Sequence, residues 1–193
     1  MFRRTRISES EQRRILCSVV DPADAGPQFM TLGDPIETPP PGFVCDRSRT
    51  EIGQGPRAFA IAREAFLRWR QFDLVWVSVV DPSAAIAPGQ IVGVEAHTAG
   101  LWSLNVCRVQ ETVDTPSRFG FSYSTTAVHV EEGQERFLID LDSDDQIVSY
   151  SIDAISRPRH PLVWLAYPFA RAMQRRFVRD SFRRMRDIVH DYA

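Results

Sequence analysis

Apolar and polar positions alternate in short blocks through the middle of the chain, then give way to a three-and-four spacing at its end. Alternation over Phe43–Gly53, Leu74–Val80, Gln90–His97, Leu101–Val113, Arg118–Val130, Glu135–Leu141 and Gln146–Ile155 predicts strands, because successive strand side chains point to opposite faces. Turn residues separate them at Pro82, Pro88-Gly89, Ala99-Gly100, Pro116-Ser117, Gly133 and Ser143-Asp144-Asp145. Val130–Gly133 reads as a hairpin turn. Links this short, with no helical segment between the last six strands, predict an antiparallel meander.

Helical spacing appears after Gly53-Gln54-Gly55, where Pro56 opens a segment through Ala58, Ile61, Ala62, Ala65, Phe66 and Trp69. It returns from His160 to Tyr192, with a stripe of Leu162, Ala166, Phe169, Ala170, Met173, Phe177, Met185 and Ile188. Arg171, Arg175, Arg179 and Arg186 fall on the opposite side, and Pro168 is expected to kink the helix. Such a helix would be about 45 Å long and must be buried along its stripe. Ser8 and Glu11 have capping-box spacing ahead of a short helix ending near Val20.

The order strand, helix, six strands, long helix predicts an α+β fold: a strongly bent antiparallel sheet of about seven strands gripping a long C-terminal helix. A closed small barrel with the helix outside is the runner-up, and the bulk of the stripe favours the first. Residues 42–193 form the predicted domain. Residues 1–41 are an N-terminal extension, partly irregular, because Asp21–Gly42 is rich in proline and glycine.

Composition changes this picture little. A net charge of −2 over 193 residues gives no global attraction to nucleic acid or a membrane surface. Every basic side chain other than histidine is arginine, so the arginines of the closing helix reflect usage throughout the chain as much as local chemistry. Cys17, Cys45 and Cys107 share no metal-ligand spacing, and no cofactor motif is present. There is no leader-like start and no apolar run of about 18 residues to span a bilayer, so a cytoplasmic protein is expected.

An ordered series of short motifs resembles a known family. Gly53-x-Gly55 leads to Trp69-Arg70-x-Phe72-x-Leu74-x-Trp76-Val77. Cys107-Arg108-Val109 and Phe119-Gly120-Phe121-Ser122-Tyr123-x-Thr125 follow. Next come His129, Gly133-x-Glu135-Arg136-Phe137, Ser156-Arg157-Pro158 and Gln174-x-x-Phe177. Over roughly residues 42 to 189 this is similar to the bacterial and plant family called domain of unknown function 1990. The family differs in favouring glycine where Ser124 stands and near Val128, and glutamate at Gln134. The resemblance implies no established activity. The element order also resembles the helix-grip START and Bet v 1-like superfamily, which implies an apolar ligand between sheet and helix.

The candidate chemistry follows. Arg108 shares a strand face with Trp102, Leu104 and Val106, so it serves either as an anion anchor or in a structural ion pair. Phe119, Phe121 and Tyr123 alternate on one face, with Trp76 and Tyr150 placed to join them, as pocket lining or as core. Arg157, between Ser156 and Pro158, either completes an anion site with Arg108 or belongs to a stiff joint. His129 and Glu135, near Glu131 and Glu132, are the acid–base candidates; a divalent ion would need a further ligand from elsewhere, and a solvated turn is the plainer reading.

Seven arginines between Arg171 and Arg186 face nine acids between Glu111 and Asp145, which suits internal or intersubunit pairing better than nucleic acid. The leading expectation is a domain binding a small hydrophobic or amphipathic molecule, with Arg108, Tyr123, Tyr150, Arg157 and Trp76 lining or anchoring it. The alternatives are an enzyme of the same fold using His129 and Glu135, and a protein-interaction module.

Overall fold

The structure, a computed structural model, describes residues 2–19, 26–33, 38–129, 131–159 and 167–192. Chain order is β1 (Phe2–Arg3), α1 (Glu9–Cys17), β2 (Val44–Gln54), α2 (Gly55–Leu67), a 3-10 turn (Arg70–Phe72), and β3 (Val77–Val79). β4 (Ile91–Thr98), β5 (Leu101–Asp114), β6 (Arg118–Thr125), β7 (Glu131–Leu141), β8 (Ile147–Pro158) and α3 (Tyr167–Tyr192) follow. The sheet runs β2-β8-β7-β6-β5-β4-β3 with every pairing antiparallel. It is the half-barrel of a helix-grip fold, and α2 and α3 fill its concave side. No described helix is long and apolar enough to cross a membrane.

Bulges between Glu51 and Gly53 and between Val109 and Glu111 bend the β2–β8 and β5–β6 pairings, as an extra residue in one strand must. The Gly-x-Gly motif serves a close contact between the sheet and both helices. A Cβ on Gly53 would sit 2.7 Å from Val189 and 2.9 Å from Ala58, so both helices pack onto bare backbone there. Gly55, at φ 83°, then turns the chain into α2, and Pro56 occupies a first-turn position where its missing donor costs nothing.

The concave core is aromatic. Phe66 of α2 meets Phe119, Phe121 and Tyr150 edge-on, and Trp69 meets Phe121 at 5.0 Å between ring centres. Phe72 packs against Phe137 at 5.4 Å. The rings therefore satisfy one another, and Phe66, Phe121, Phe137 and Tyr150 are fully buried.

The convex face is covered by the N-terminal segment. Ser8 caps α1 by accepting from Glu11 N, as its spacing predicts. β1 pairs with Trp102–Ser103 of β5, on the edge that β6 leaves vacant because it joins β5 only from Cys107 onward. Buried Glu95 accepts from Arg6 at 2.7 Å and Gln12 at 2.9 Å. Gln134, also buried, accepts from the amides of Phe29 and Met30 and donates to Met30 O at 2.8 Å.

Three sequence expectations change. The turn before β7 spans residues 126–129 and Glu131–Gly133 are already strand, so the Val130–Gly133 hairpin is displaced; Val130 itself lies outside the described residues. Pro168 is the second described residue of α3, and the described helix runs unbroken from there to Tyr192, so the expected kink within the helix is not found among the described residues. Strand Leu74–Val80 shrinks to Val77–Val79, with Leu74 reduced to a lone bridge to Val77. Stripe positions Leu162 and Ala166, the start at His160, and Asp21, Pro22, Pro35 and Ile36 of the extension lie outside the described residues.

Candidate functional site

The two halves of α3 grip the sheet unequally. Its buried residues are Ser181, Met185, Ile188 and Val189, all in the second half. Within residues 167–180 no side chain is buried, and Phe169 is 46 % exposed, against the expectation that it belongs to the buried stripe. Phe177 and Val178 are half-buried against the core, the Phe177 ring 5.2 Å from Phe72. Chemistry explains the difference. The second half carries apolar residues at i, i+3 and i+4 plus a serine small enough for the Tyr150 hydroxyl to reach at 2.9 Å. The first half offers Arg171, Gln174 and Arg176, whose polar heads engage Asp46, Glu131 and Asp180 rather than packing into the core.

Beneath that looser half, the concave strip becomes polar. Odd-numbered β7 residues face inward with Phe137, and this parity brings in Glu131 and Glu135. Across the β6–β7 ladder Tyr123 opposes Glu135, and its hydroxyl donates to Glu135 Oε2 at 2.5 Å. Among the described residues, Glu135 Oε1 receives no hydrogen bond. Burial, with the nearby charges of Glu131 and Asp46, pushes the Glu135 carboxyl up to about 7 against the pull of the tyrosine bond. Burial likewise raises Glu131, opposed by Gln174, which donates to both of its oxygens. Tyr123 and Cys107 are both raised by burial and then by the Glu135 charge, so neither supplies an anion near neutral pH.

The cation nearest these acids is already committed. Arg171 makes a two-pronged contact with Asp46 at 2.5 Å. Asn105 lies on the inward face of β5 two residues before Cys107, and its buried Oδ1 has no hydrogen-bond partner. The strip therefore has acceptors to spare. A carboxyl that titrates near neutrality can also take or release a proton.

Of the residues predicted from sequence, the structure brings Tyr123 and Glu135 into direct contact. Trp76 stands beside α3, donating to Asp180 at 3.0 Å with Arg176 stacked 4.6 Å from its ring centre. Tyr150 is sealed in the closed half. Arg108 is on the convex face, donating to Val19 O, and Arg157 lies over the Phe43 ring and pairs with Glu132. No anion site joins these two arginines. His129 sits in the β6–β7 turn, its Nδ1 accepting from Glu131 N at 2.9 Å; burial holds its pKa down at about 4, so it is neutral. Among the described residues no hydrogen bond joins it to Glu135.

Asn105 and Cys107 were missed as site residues, and Glu131, grouped with the acid–base candidates, was expected in a solvated turn. The usable signal was parity: Glu131 and Glu135 are separated from Phe137 by even steps, which assigns all three to one face once β7 starts at Glu131. The arginine ladder of α3 is largely spoken for within the chain: Arg176 and Arg179 pair with Asp180, Arg184 with Asp73, and Arg186 donates to Glu51 O.

Two surface hollows lie elsewhere. One of about 410 Å³ on the convex face is lined by Arg49, Arg118 and Arg136, which are engaged by Ser149, Asp140 and Asp153 respectively. The other, of about 370 Å³, lies between α1, β3 and β4.

Comparison with known proteins agrees with this geometry. A family model described as domain of unknown function (DUF1990) matches residues 30–184. A UPF0548 protein of Dictyostelium discoideum is 34% identical over 154 residues, covering 74% of this chain and 71% of that one. Among solved structures, the hypothetical protein jhp0584 of Helicobacter pylori aligns with TM-score 0.55 at 14% identity, over 85% of this chain and 99% of that one. Ara h 8.0201 aligns with TM-score 0.50 at 13% identity, over 78% and 99%. Likeness at these identities concerns the fold alone, and the fold is the helix-grip of Bet v 1-like proteins.

Proposed function

Because the chain belongs to the DUF1990 family and folds as a helix-grip domain, we propose that it binds a small amphipathic molecule between the concave sheet face and the first half of α3. The supporting observation is the division of α3 itself. Residues from Ser181 onward are clamped on the core, whereas 167–180 contribute no buried side chain and reach the concave face through Gln174, which donates to Glu131, and Phe177, whose ring lies near Phe72 and Phe137. Phe72, Phe137 and Phe177 supply an apolar wall for the body of the molecule, and the acceptor groups supply an end for its polar head. Trp76, at the flank of α3, is the reporter nearest the opening.

Native mass spectrometry of the purified protein, joined to binding of the neutral dye Nile red, tests this. A retained or added molecule is expected, with binding weakened at least tenfold in Met173→Trp, where bulk is added one turn before Phe177. Unchanged binding in that variant would overturn the placement.

A second reading, acid–base catalysis, is favoured by one observation: the Glu135 carboxyl titrates near 7 with one oxygen uncommitted. In that reading Glu135 exchanges the proton and Tyr123 orients it, while His129 stays neutral and outside the chemistry. Loss of any turnover in Glu135→Gln with binding retained would be its mark.

A further inference from the structure

We propose that the hollow on the convex face, on the opposite side of the sheet from the concave pocket, binds a phosphomonoester through the guanidinium groups of Arg49 and Arg118.

Strand register builds the site. Ser151 of β8 lies opposite Arg49 of β2 on one side and Leu138 of β7 on the other. One row along, Ser149 of β8 opposes Asp140 of β7, and Asp140 opposes Arg118 of β6. Arg49 donates diagonally to Ser149 Oγ at 2.6 Å, and Arg118 donates from Nε to Asp140 Oδ1 at 2.5 Å. The two guanidinium groups are thus anchored on directly opposed residues of adjacent strands, whose backbones stand about 5 Å apart. Leu32 of the N-terminal segment, buried like Leu138, walls the hollow, which encloses about 410 Å³. That volume suits a small organic ligand.

The donors left open belong to these two arginines. Arg136 lines the hollow too but is fully spent: its Nε and Nη2 go to Asp153 Oδ2, and its Nη1 to Thr31 O at 2.7 Å. Arg47 borders the hollow and holds an interaction of its own. Arg49 differs, because its hydrogen bond among the described residues goes to a neutral hydroxyl and no ion pair is formed. Arg118 commits only its Nε, so its two terminal nitrogens remain available at the surface. The Ser151 hydroxyl between them also has no hydrogen bond from the described protein. The carboxylates that line the hollow, Asp140 and Asp153, are each paired with one arginine, and Arg49 is the surplus cation. Glu51 and Glu111, on the same face of the sheet, do not line it.

Such a set calls for an acceptor-rich anion, since a guanidinium has only donors to offer. Two planar forks side by side present more donors than the two oxygens of a carboxylate can occupy. A phosphomonoester brings three acceptor oxygens and a charge of about −2 near neutrality, and it pairs with arginine in the same two-pronged geometry. Its organic body then rests on Leu32 and Leu138.

The test uses the full chain and NMR titration with three probes of one aromatic body: 2-phenylethyl phosphate, 3-phenylpropionate and 2-phenylethanol, the neutral probe. The phosphate is expected to shift the amides of Arg49, Arg118, Leu138 and Ser151 saturably and to bind there at least tenfold tighter than the carboxylate, while the alcohol leaves these amides unmoved. Arg49→Gln strands no carboxylate, and Arg118→Gln combined with Asp140→Asn removes an ion pair whole; each is expected to weaken the phosphate at least tenfold. Arg183→Gln, at an exposed position of α3, changes the net charge by the same amount as Arg49→Gln and is expected to leave binding unaltered. Vesicles of phosphatidylcholine carrying phosphatidic acid separate the sources of the phosphate. Vesicle binding that depends on Arg49 assigns a lipid head group, and binding of the soluble ester alone assigns a soluble phosphomonoester. Equal binding of phosphate and carboxylate, shifts confined to other residues, or equal losses in Arg49→Gln and Arg183→Gln would overturn the site.

Discussion

Tyr123 gives its hydroxyl proton to Glu135 across 2.5 Å, from directly opposite positions on β6 and β7 and on the concave side of the sheet. Burial raises both groups; the Glu135 charge and bond push Tyr123 up further, whereas the tyrosine bond pulls Glu135 back down. The pair is a polar unit on the concave face to which no cation among the described residues is hydrogen-bonded, and its titration leaves a signature in stability.

The folded Glu135 carboxyl titrates at about 7, above its value in an unfolded chain, so the folded state holds the extra proton between roughly pH 4.5 and 7. Stability therefore falls as pH rises through that window. Urea unfolding of Glu135→Gln and the parent is expected to coincide near pH 4. By pH 8 the variant should be the more stable by about 1–3 kcal/mol. A variant that is less stable at pH 8 would contradict the buried, unneutralised carboxylate.

His129 has the opposite sign. Its folded pKa is held at about 4, below the unfolded value, so its contribution is fully present above about pH 6.5 and is lost as pH falls toward 4. His129→Asn keeps an acceptor for Glu131 N and removes the titration. Its stability is expected to decline less than the parent's between pH 6.5 and 4, by up to about 3 kcal/mol. Parallel curves would rule out a buried neutral imidazole.

The Gly53 contact is a steric prediction. Gly53→Ala drives a methyl into Val189 and Ala58 and is expected to cost about 1–3 kcal/mol in urea unfolding. Adding Val189→Ala should cost less in that background than in the parent, because the clash is relieved. Strict additivity of the two changes would contradict the contact.

Much of the fold was legible in the sequence. Alternation and turn chemistry placed the strands, and the order of elements specified a sheet around a helix, because these depend on local periodicity. What failed was information that periodicity does not carry. Arg108 was assigned a face shared with Trp102, Leu104 and Val106, and it does share it; nothing local says that this face is the convex one, buried beneath α1 and the N-terminal segment. Reading Val130–Gly133 as a turn sent Glu131 to solvent, whereas strand pairing with Arg157 and Pro158 carries it inward. The stripe of α3 looked continuous from end to end, but its fully buried residues all lie in the second half.

Gln134 exemplifies a position whose role is invisible without the fold. It both accepts from and donates to the Phe29–Met30 backbone. Gln134→Glu loses the donor and sets a carboxylate against Met30 O, at a cost of roughly 1–3 kcal/mol. Amide exchange at Phe29 and Met30 is expected to speed up at least tenfold in that variant while β6 and β8 amides change little. Unchanged exchange at these two amides would mean the segment is held by other contacts.

The claim that matters most is the place of binding. Backbone and side-chain NMR shifts on titration with 2-phenylethanol, the neutral probe, locate it directly. Changes concentrated in residues 167–180 and at Asn105, Cys107, Tyr123 and Glu135 are the predicted result. Changes confined to the convex hollow around Arg49, Arg118 and Arg136, or no changes at all, would contradict it.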